Sequence, residues 1–301
     1  MIPALDRSEV RCVDPSALAA ALAAPRSHFV LFRGECACMR GGAIDPLVCT
    51  GEQLRELGVE TADAVLLGYD GQTAWFALDT ERQASKEPGA VERTPQQGEF
   101  VALASIDDPV EPGAWALLSR ARALLAWNRT MARCPMCGAP TQMHAGGTVR
   151  VCSAPGCGCT QFPRTDPAII VRVLARDRCL LARHTRSRPA LRSVIAGFVE
   201  PGESLEGCVK REVGEEVGLD VGGVRYLGSQ PWPFPMSLMV AFEAQALSEE
   251  IRIDGTEIEA ADWYTRERAL QEIDEGRLVL PSRKSISRRM IDGWIAGEPD
   301  I

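Results

Sequence analysis

The chain has 301 residues, a formal net charge of -8 and 11 cysteines. Its length favours two or three domains, and its acidic balance argues against broad electrostatic binding to nucleic acid or to an anionic membrane. We find no signal peptide pattern and no apolar run that approaches the roughly 20 residues of a membrane-spanning helix. The odd cysteine count in a long chain therefore predicts a cytoplasmic protein whose clustered cysteines bind metal.

The chain divides into three segments by composition. Residues 1–112 predict an α+β domain, with a strand at 27–32 and a β-hairpin at 64–78. Residues 113–163 begin with a helical pattern, interpreted as a connecting helix, and continue into a cysteine-rich segment. Predicted strands and helices alternate over 164–301, which indicates a C-terminal α/β domain.

The cysteine-rich segment has the spacing of a zinc ribbon. Cys134 and Cys137 form a C-x2-C pair, and Cys152 and Cys157 form a C-x4-C pair further along. Four thiolates can close a tetrahedral zinc site without an open position, so one zinc ion per chain would be structural. Cys159 competes with Cys157 for the fourth position, and the sequence leaves that choice open. Free or redox-active thiols are the alternative interpretation.

A glycine-rich turn followed by a helical pattern carries the most informative residues. Glu212, Glu215 and Glu216 are three or four positions apart and therefore lie on one side of a helix. Apolar residues of the same helix share much of that side, so we expect these carboxylates on its inward-facing half. Carboxylates gathered away from solvent need a cation, and an oxygen-only set of donors suits Mg²⁺ or Mn²⁺. A solvated acidic face is the alternative.

The stretch 197–219 fits the pattern G-x5-E-x7-R-E-U-x-E-E-x-G-U, where U is apolar. This pattern resembles the signature of the Nudix hydrolases. The resemblance implies a Nudix fold, in which a mixed sheet is sandwiched between helices. It also implies that divalent metal is held by Glu212, Glu215, Glu216 and the main-chain carbonyl of Ala196.

The same resemblance implies that a salt bridge between Arg211 and Glu203 braces the helix. Metal ions at such a site would offset the charge of a diphosphate and lower the pKa of a bound water, and a glutamate would serve as the base. Glu216 is one candidate for this base and Glu257 is another. The sequence does not choose between them.

A proline-rich segment at 229–237 reads S-Q-P-W-P-F-P-M-S. Alternating prolines fix an extended backbone and exclude a central strand, because their missing N–H groups would break the ladder. Aromatic side chains held on such a stiff edge suit stacking on a nucleobase or a nicotinamide ring. A proline-rich corner of the core is the alternative. The substrate-binding residues expected here are Gln230, Pro231, Trp232, Pro233, Phe234, Pro235, Met236 and Ser237.

This segment, together with the preceding cysteine pairs and acidic motif, resembles the NADH pyrophosphatase branch of the Nudix hydrolases. The resemblance implies metal-dependent cleavage of NADH and NAD⁺ to nicotinamide mononucleotide and AMP, with removal of NAD caps from RNA as a further activity. A broad dinucleotide or ADP-ribose hydrolase is the alternative within the same chemistry. An inert Nudix scaffold carrying a zinc-ribbon binding module is the alternative of another class, and the intact acidic motif argues against it.

The branch resemblance assigns four further positions. Phe162 and Phe198 match aromatic residues that sandwich a substrate ring from different subunits, which implies a homodimer. Glu257 matches a further metal-binding glutamate. Ser287 stands where the branch commonly has an alanine, in a segment that contacts substrate. The C-x4-C spacing of the second cysteine pair also departs from the C-x2-C spacing that is commoner in the branch.

Overall fold

The computed structural model describes residues 2–8, 10, 13–41, 45–81, 95, 98–107 and 110–298. The chain forms two compact units. The first comprises the chain up to Ile106, Val110–Arg164 and Pro233–Met236, and the second comprises mainly Thr165–Trp232 and the chain from Ser237 onwards. The segment 113–163, which the sequence suggested as a separate part, is included in the first unit. None of the helices in the described ranges combines the length and apolar character that crossing a membrane requires.

The first unit is built on a six-stranded mixed sheet. Its strands are β1 (His28–Arg33), β2 (Cys36–Arg40), β3 (Val48–Thr50), β4 (Val65–Asp70), β5 (Thr73–Asp79) and β6 (Gly98–Ala102). Their order is β4-β5-β1-β2-β6, with β3 paired to β1, and β1 runs parallel to β5. The antiparallel pair β4–β5 confirms the hairpin predicted at 64–78, and β1 confirms the strand predicted at 27–32.

In the described part of this unit, the sheet is accompanied by α1 (Pro15–Ala23), α2 (Gly51–Glu56) and α3 (Pro112–Thr130). The apolar side of α3, which includes Leu118 and Ala121, is fully buried in one core cluster with Val30 and Phe32 of β1. The helix that was interpreted as a connector therefore forms part of the core of this unit, because its apolar residues need a surface on which to be buried.

The cysteine-rich segment folds into a small sheet of β7 (Thr141–His144), β8 (Val149–Cys152) and β9 (Thr160–Gln161) in that order. Buried Arg150 joins it to α3, since its guanidinium donates to the side chain of Asn128 at 3.0 Å and to the carbonyl of Thr141 at 2.8 Å. Asn128 in turn donates to the carbonyl of Gly147 at 2.8 Å. A segment too short for a core of its own thus rests on the helix before it.

The second unit contains another six-stranded mixed sheet. Its strands are β10 (Asp166–Ala175), β11 (Arg178–His184), β12 (Ile195–Phe198), β13 (Val221–Trp232), β14 (Ser237–Ala246) and β15 (Ile258–Tyr264). Their order is β13-β14-β10-β11-β15, with β12 paired to β10, and β10 runs parallel to β14.

Helices cover both faces of this second sheet: α4 (Leu205–Val217), α5 (Arg266–Asp274) and α6 (Ile286–Ala296). Neighbouring residues of β10 point to opposite faces, so Ile169 is buried in the core cluster that contains Val213 of α4. Ile170 is buried in the cluster that contains Met290 of α6. The predicted mixed sheet sandwiched between helices is confirmed, and it places the start of α4 beside β12.

Candidate active site

The acidic helix α4 has defined ends. The hydroxyl of Ser204 accepts a hydrogen bond from the Gly207 N–H at 3.1 Å and caps the first turn. Gly218, at φ 68°, ends the helix in a left-handed conformation that suits glycine. Gly197 of β12 lies against this helix, because a Cβ atom built there would run into the carboxylate of Glu212. The helix therefore lies against a strand from which a side chain is missing.

The three motif carboxylates have different surroundings. Glu216 is buried, with 5% of its surface exposed, and Glu212 is half-buried. The side chain of Glu215 is 63% exposed, so the expectation that all three lie on the inward half was wrong for this residue. Consecutive helical residues are about 100° apart, which turns Glu215 towards solvent once Glu216 faces the sheet.

Arg211 organises this end of the helix. It donates to both oxygens of Glu203, at 2.6 and 3.1 Å, which confirms the expected salt bridge. It also donates to the carbonyl of Phe198 at 2.9 Å, and to the carboxylates of Glu212 and Glu215 at 3.0 Å each. The hydrogen bonds from Arg211 lower the pKa of Glu203 to about 2. The guanidinium therefore ties the turn, β12 and the acidic helix together.

Negative charge at the buried end of the motif is not balanced. Burial raises the pKa of Glu216 to about 8, and the nearby charges of Glu212 and Glu257 add to this effect. Burial also raises the pKa of Glu212, in spite of its hydrogen bond to Arg211. These carboxylates are short of balancing positive charge, and their oxygen atoms are the kind of donor that a hard divalent cation prefers. The carboxylate oxygens of the motif are further apart than the sulfur atoms of the four cysteines at 134, 137, 152 and 157. Among the described residues, only those cysteines bring three or more donor atoms within 4.8 Å of one another.

Glu257 approaches this site from the loop before β15. Its N–H donates to the carboxylate of Asp254 at 2.9 Å, and so does the N–H of Ile258. Its own carboxylate is 65% exposed and lies 4.0 Å from Nε2 of His184. Sequence reasoning selected Glu257 but missed Asp254 and His184. The aspartate could have been found from its position at the start of a turn, whereas nothing in the sequence marks the histidine.

A cavity of about 180 Å³ opens beside these residues. Glu216 and Ala196 both line it, which brings the residue expected to offer a main-chain carbonyl next to the buried carboxylate. Its other polar lining includes His184, Ser187 and Ser193. The cavity therefore joins the acidic helix to the loop between β11 and β12.

The proline-rich segment lies at the edge of the second sheet, as its missing N–H groups predicted. Pro231 pairs with Leu238 within β13, which is the outermost strand. The side chain of Gln230 is buried; it donates to the carbonyl of Lys284 and accepts from the N–H of Ile286, both at 2.7 Å. Gln230 thus holds the start of α6, and its amide group is already hydrogen-bonded.

The remaining residues of this segment differ in exposure. Phe234 belongs to the first unit, where the guanidinium of Arg122 lies 4.6 Å from its ring centroid and the ring of Trp115 lies 6.5 Å away. One side of this ring is therefore already in contact with protein. Pro233 and Ser237 are buried, Trp232 and Met236 are half-buried, and Pro231 and Pro235 are exposed.

Three further predicted positions contrast in burial. Phe162 follows β9 in the first unit and Phe198 ends β12 in the second, and both are exposed large apolar side chains. Ser287 is buried, and its hydroxyl forms a hydrogen bond with that of Ser193 at 2.8 Å. The two phenylalanines are thus open to a ligand, whereas the serine connects α6 to the cavity wall.

The four cysteines expected to bind zinc converge. Their sulfur atoms lie within 4.8 Å of one another, with Cys134–Cys157 at 3.8 Å and Cys137–Cys152 at 3.5 Å. A tetrahedral zinc site with Zn–S bonds of about 2.3 Å needs sulfur atoms about 3.8 Å apart, so these residues fit the metal. Cys159 lies outside the group and receives a hydrogen bond from Gln161 at 2.9 Å.

The thiols of this cluster differ in acidity. Burial acts to raise the pKa of the Cys134 thiol, but hydrogen bonds from the N–H groups of Met136 and Cys137 lower it to about 6. A thiolate at neutral pH is the form that binds metal. A hydrogen bond from the N–H of Ala154 acts to lower the pKa of the Cys152 thiol, but burial and the neighbouring thiols raise it to about 12. The fit to a metal therefore rests on the convergence of the four sulfur atoms.

Comparison with known families agrees with this geometry. The NUDIX domain matches residues 163–286, and the NADH pyrophosphatase-like rudimentary NUDIX domain matches residues 26–127. The fold of the second unit and its acidic helix are thus those of a Nudix domain, and the sheet of the first unit is assigned to a second, rudimentary copy.

Curated relatives define the family more closely. The NAD-capped RNA hydrolase NudC of Mycobacterium bovis is 39% identical over 269 residues, which cover 84% of this chain and 83% of that protein. The NudC of Pseudomonas aeruginosa is 42% identical over 217 residues, covering 66% and 74% respectively. The NAD-capped RNA hydrolase NUDT12 of Macaca fascicularis is 38% identical over 251 residues, which are 77% of this chain and 52% of the relative, so the chain spans about half of that protein. The chain belongs to the NADH pyrophosphatase branch of the Nudix hydrolase family.

Proposed function

We propose that this protein is an NAD⁺/NADH diphosphatase. It cleaves the diphosphate linkage of NADH and NAD⁺ to nicotinamide mononucleotide and AMP, and it removes NAD caps from RNA by the same reaction. The observation that carries the proposal is the buried carboxylate of Glu216, with its raised pKa, in the wall of a cavity beside Ala196. The names of the relatives, NAD-capped RNA hydrolases, support the choice of substrate.

The catalytic ion would be Mg²⁺ or Mn²⁺. Its ligands would be the carboxylates of Glu212, Glu215, Glu216 and Glu257 and the carbonyl of Ala196. When bound, such an ion supplies positive charge to the diphosphate and lowers the pKa of water. The hydrogen bonds of Arg211 to Glu203 and Phe198 keep the turn and the helix in register with β12.

Glu216 is the better placed of the two candidate bases. Its side chain is buried and lines the cavity, where it could accept a proton from water held there. The carboxylate of Glu257 is mostly in solvent and lies near His184. Glu216 would therefore take the proton from water during attack on phosphorus, and Glu257 would act as a ligand.

The remaining assignments concern substrate binding and assembly. Exposed Phe162 and Phe198 offer aromatic surfaces for a nicotinamide or adenine ring, and the segment 230–237 with Ser287 would border that ring. Because these phenylalanines are expected from different subunits, the enzyme would be a homodimer. Zinc in the four-cysteine site would be structural, since four protein ligands leave no position for water. We place the enzyme in the cytoplasm, where such thiols stay reduced.

Kinetics with alternative substrates test the function. We expect higher kcat/KM with NADH, NAD⁺ and NAD-capped RNA than with ADP-ribose, and reduced nicotinamide mononucleotide and AMP as the products from NADH. Equal kcat/KM with ADP-ribose would favour the broad dinucleotide hydrolase. No hydrolysis of any of these substrates with Mg²⁺ or Mn²⁺ would refute the proposal.

A further inference from the structure

Arginines of the second unit differ in whether they have an acidic partner. Many form ion pairs, such as Arg183 with Glu259, in keeping with the acidic composition of the chain. Arg186, Arg188 and Arg283 are exposed, and none of them forms an ion pair with a carboxylate in the described part of the chain. Unpaired cations in an acidic protein are a local source of attraction for anions.

Arg186 and Arg188 lie on the loop between β11 and β12. Two tight turns shape this loop, since the N–H of Ser187 donates to the carbonyl of His184 at 2.8 Å and the N–H of Leu191 donates to that of Arg188 at 3.0 Å. Both Ser187 and Leu191 line the cavity that contains Glu216. The two arginines are therefore chain neighbours of Ser187 in the cavity wall, but their own side chains are exposed and do not line the cavity.

Arg283 lies on a second segment that is tied to this loop at both of its ends. Before Arg283, the main chain of Val279 accepts from the N–H of Arg192 and donates to the carbonyl of Ala190, both at 2.9 Å. After it, the hydroxyl of Ser287 bonds to that of Ser193 at 2.8 Å. Arg186, Arg188 and Arg283 therefore belong to two segments that are hydrogen-bonded to each other, and the first of these segments lines the cavity.

We propose that Arg186, Arg188 and Arg283 form a phosphate-binding strip for the RNA chain that follows an NAD cap. This inference rests on the proposed function, because it concerns a substrate that extends beyond the cleaved diphosphate. Contacts of arginine with phosphate supply affinity without reading base sequence. NADH ends at its adenosine and has no phosphate beyond it, so the strip acts on capped RNA and not on NADH.

A phosphate on the adenosine ribose also occurs in NADPH, where it is carried by the 2′ hydroxyl. Three cations on two segments are more than one such phosphate requires, which favours a polynucleotide. NADPH therefore serves as the comparison substrate that distinguishes a single ribose phosphate from a chain of phosphates.

The test uses full-length enzyme with Arg186→Gln, Arg188→Gln and Arg283→Gln, singly and together. Arg176→Gln is the control, because this side chain is 83% exposed on the turn at the far end of β11 from His184. For the triple variant we expect kcat/KM with a short NAD-capped RNA to fall about tenfold while that with NADH is unchanged. The slope of log kcat/KM against log salt for the RNA should become shallower by about 0.7 for each phosphate that an arginine no longer neutralises.

Three results for the triple variant would overturn the phosphate-binding strip. The first is a fall in kcat/KM with NADH equal to that with capped RNA, and the second is an unchanged kcat/KM with capped RNA. The third is a fall in kcat/KM with NADPH that capped RNA does not show. Unchanged thermal unfolding midpoints in the variants, together with wild-type rates on NADH, exclude misfolding as the cause of a loss with RNA. If wild-type enzyme hydrolyses both NADH and capped RNA, the proposed function stands even when the strip fails. If it hydrolyses neither, the proposed function itself fails.

Discussion

A Cβ atom added to Gly197 would overlap the carboxylate of Glu212. The present position of the Glu212 carboxylate therefore depends on glycine at residue 197, because a Cβ atom there would displace it. Gly214, on the same helix, has no atom within 4 Å of a Cβ placed there. The two glycines thus form a matched pair for experiment.

Replacement of Gly197 by alanine should displace Glu212 and reduce kcat strongly while the protein still folds. Gly214→Ala should leave the rate close to wild type and raise the free energy of unfolding by about 0.5–1 kcal/mol, because alanine is the better residue inside a helix. Steady-state kinetics and chemical unfolding of both variants check this. Wild-type kcat in Gly197→Ala would contradict the close packing of strand and helix.

Glu216→Gln should lower kcat by at least about 100-fold, since it removes both a metal ligand and the candidate base. Glu206→Gln is the control, because Glu206 is exposed in the first turn of the same helix. Both variants should retain the wild-type fold by circular dichroism and the same zinc content. Full activity of Glu216→Gln would mean that the catalytic cluster lies elsewhere.

The same carboxylate predicts a pH dependence of stability without added Mg²⁺ or Mn²⁺. Its pKa is raised from 4.5 to about 8 on folding, so the folded state holds the proton more tightly than the unfolded chain. Its contribution is therefore fully present below pH 4.5 and is lost as pH rises towards 8. Wild-type protein should lose stability over this range relative to Glu216→Gln. Unfolding curves that shift by the same amount in both proteins would contradict the raised pKa.

Glu203 predicts the opposite dependence at acidic pH. Its pKa is lowered from 4.5 to about 2 in the folded state, so its contribution is present above pH 4.5 and is lost as pH falls towards 2. Glu203→Gln should weaken the link to Arg211 and flatten the acid limb of the stability curve. Thermal unfolding at a series of acidic pH values measures this, and an unchanged acid limb in the variant would count against the salt bridge.

Metal analysis checks the cysteine cluster. We expect about one zinc per chain, lost or much reduced in Cys134→Ser and retained in Cys159→Ser, because Cys159 lies outside the group of converging sulfur atoms. Loss of zinc should lower the unfolding temperature, since metal binding contributes to the folding of such small segments. Equal zinc loss in the two variants would show that Cys159 is a ligand after all.

The sequence by itself determined the local features of the site. The spacing of Glu212 and Glu216, the Ser204 cap and the Gly218 end depend only on helix geometry, and the first cysteine pair depends only on a short loop. The edge position of the proline-rich strand also followed, because a proline cannot donate to a central ladder.

Tertiary structure decided which distant residues meet. His184, Asp254 and Gln230 reach the site or support it through contacts between separate strands, loops and helices, and no local pattern encodes those contacts. The exposure of Glu215 was likewise decided by the rotation of α4 on the sheet, and that rotation was set by which apolar residues found a partner in the core. Periodicity identifies a helix face to within a residue or so, but only packing fixes which carboxylate at its margin turns towards solvent.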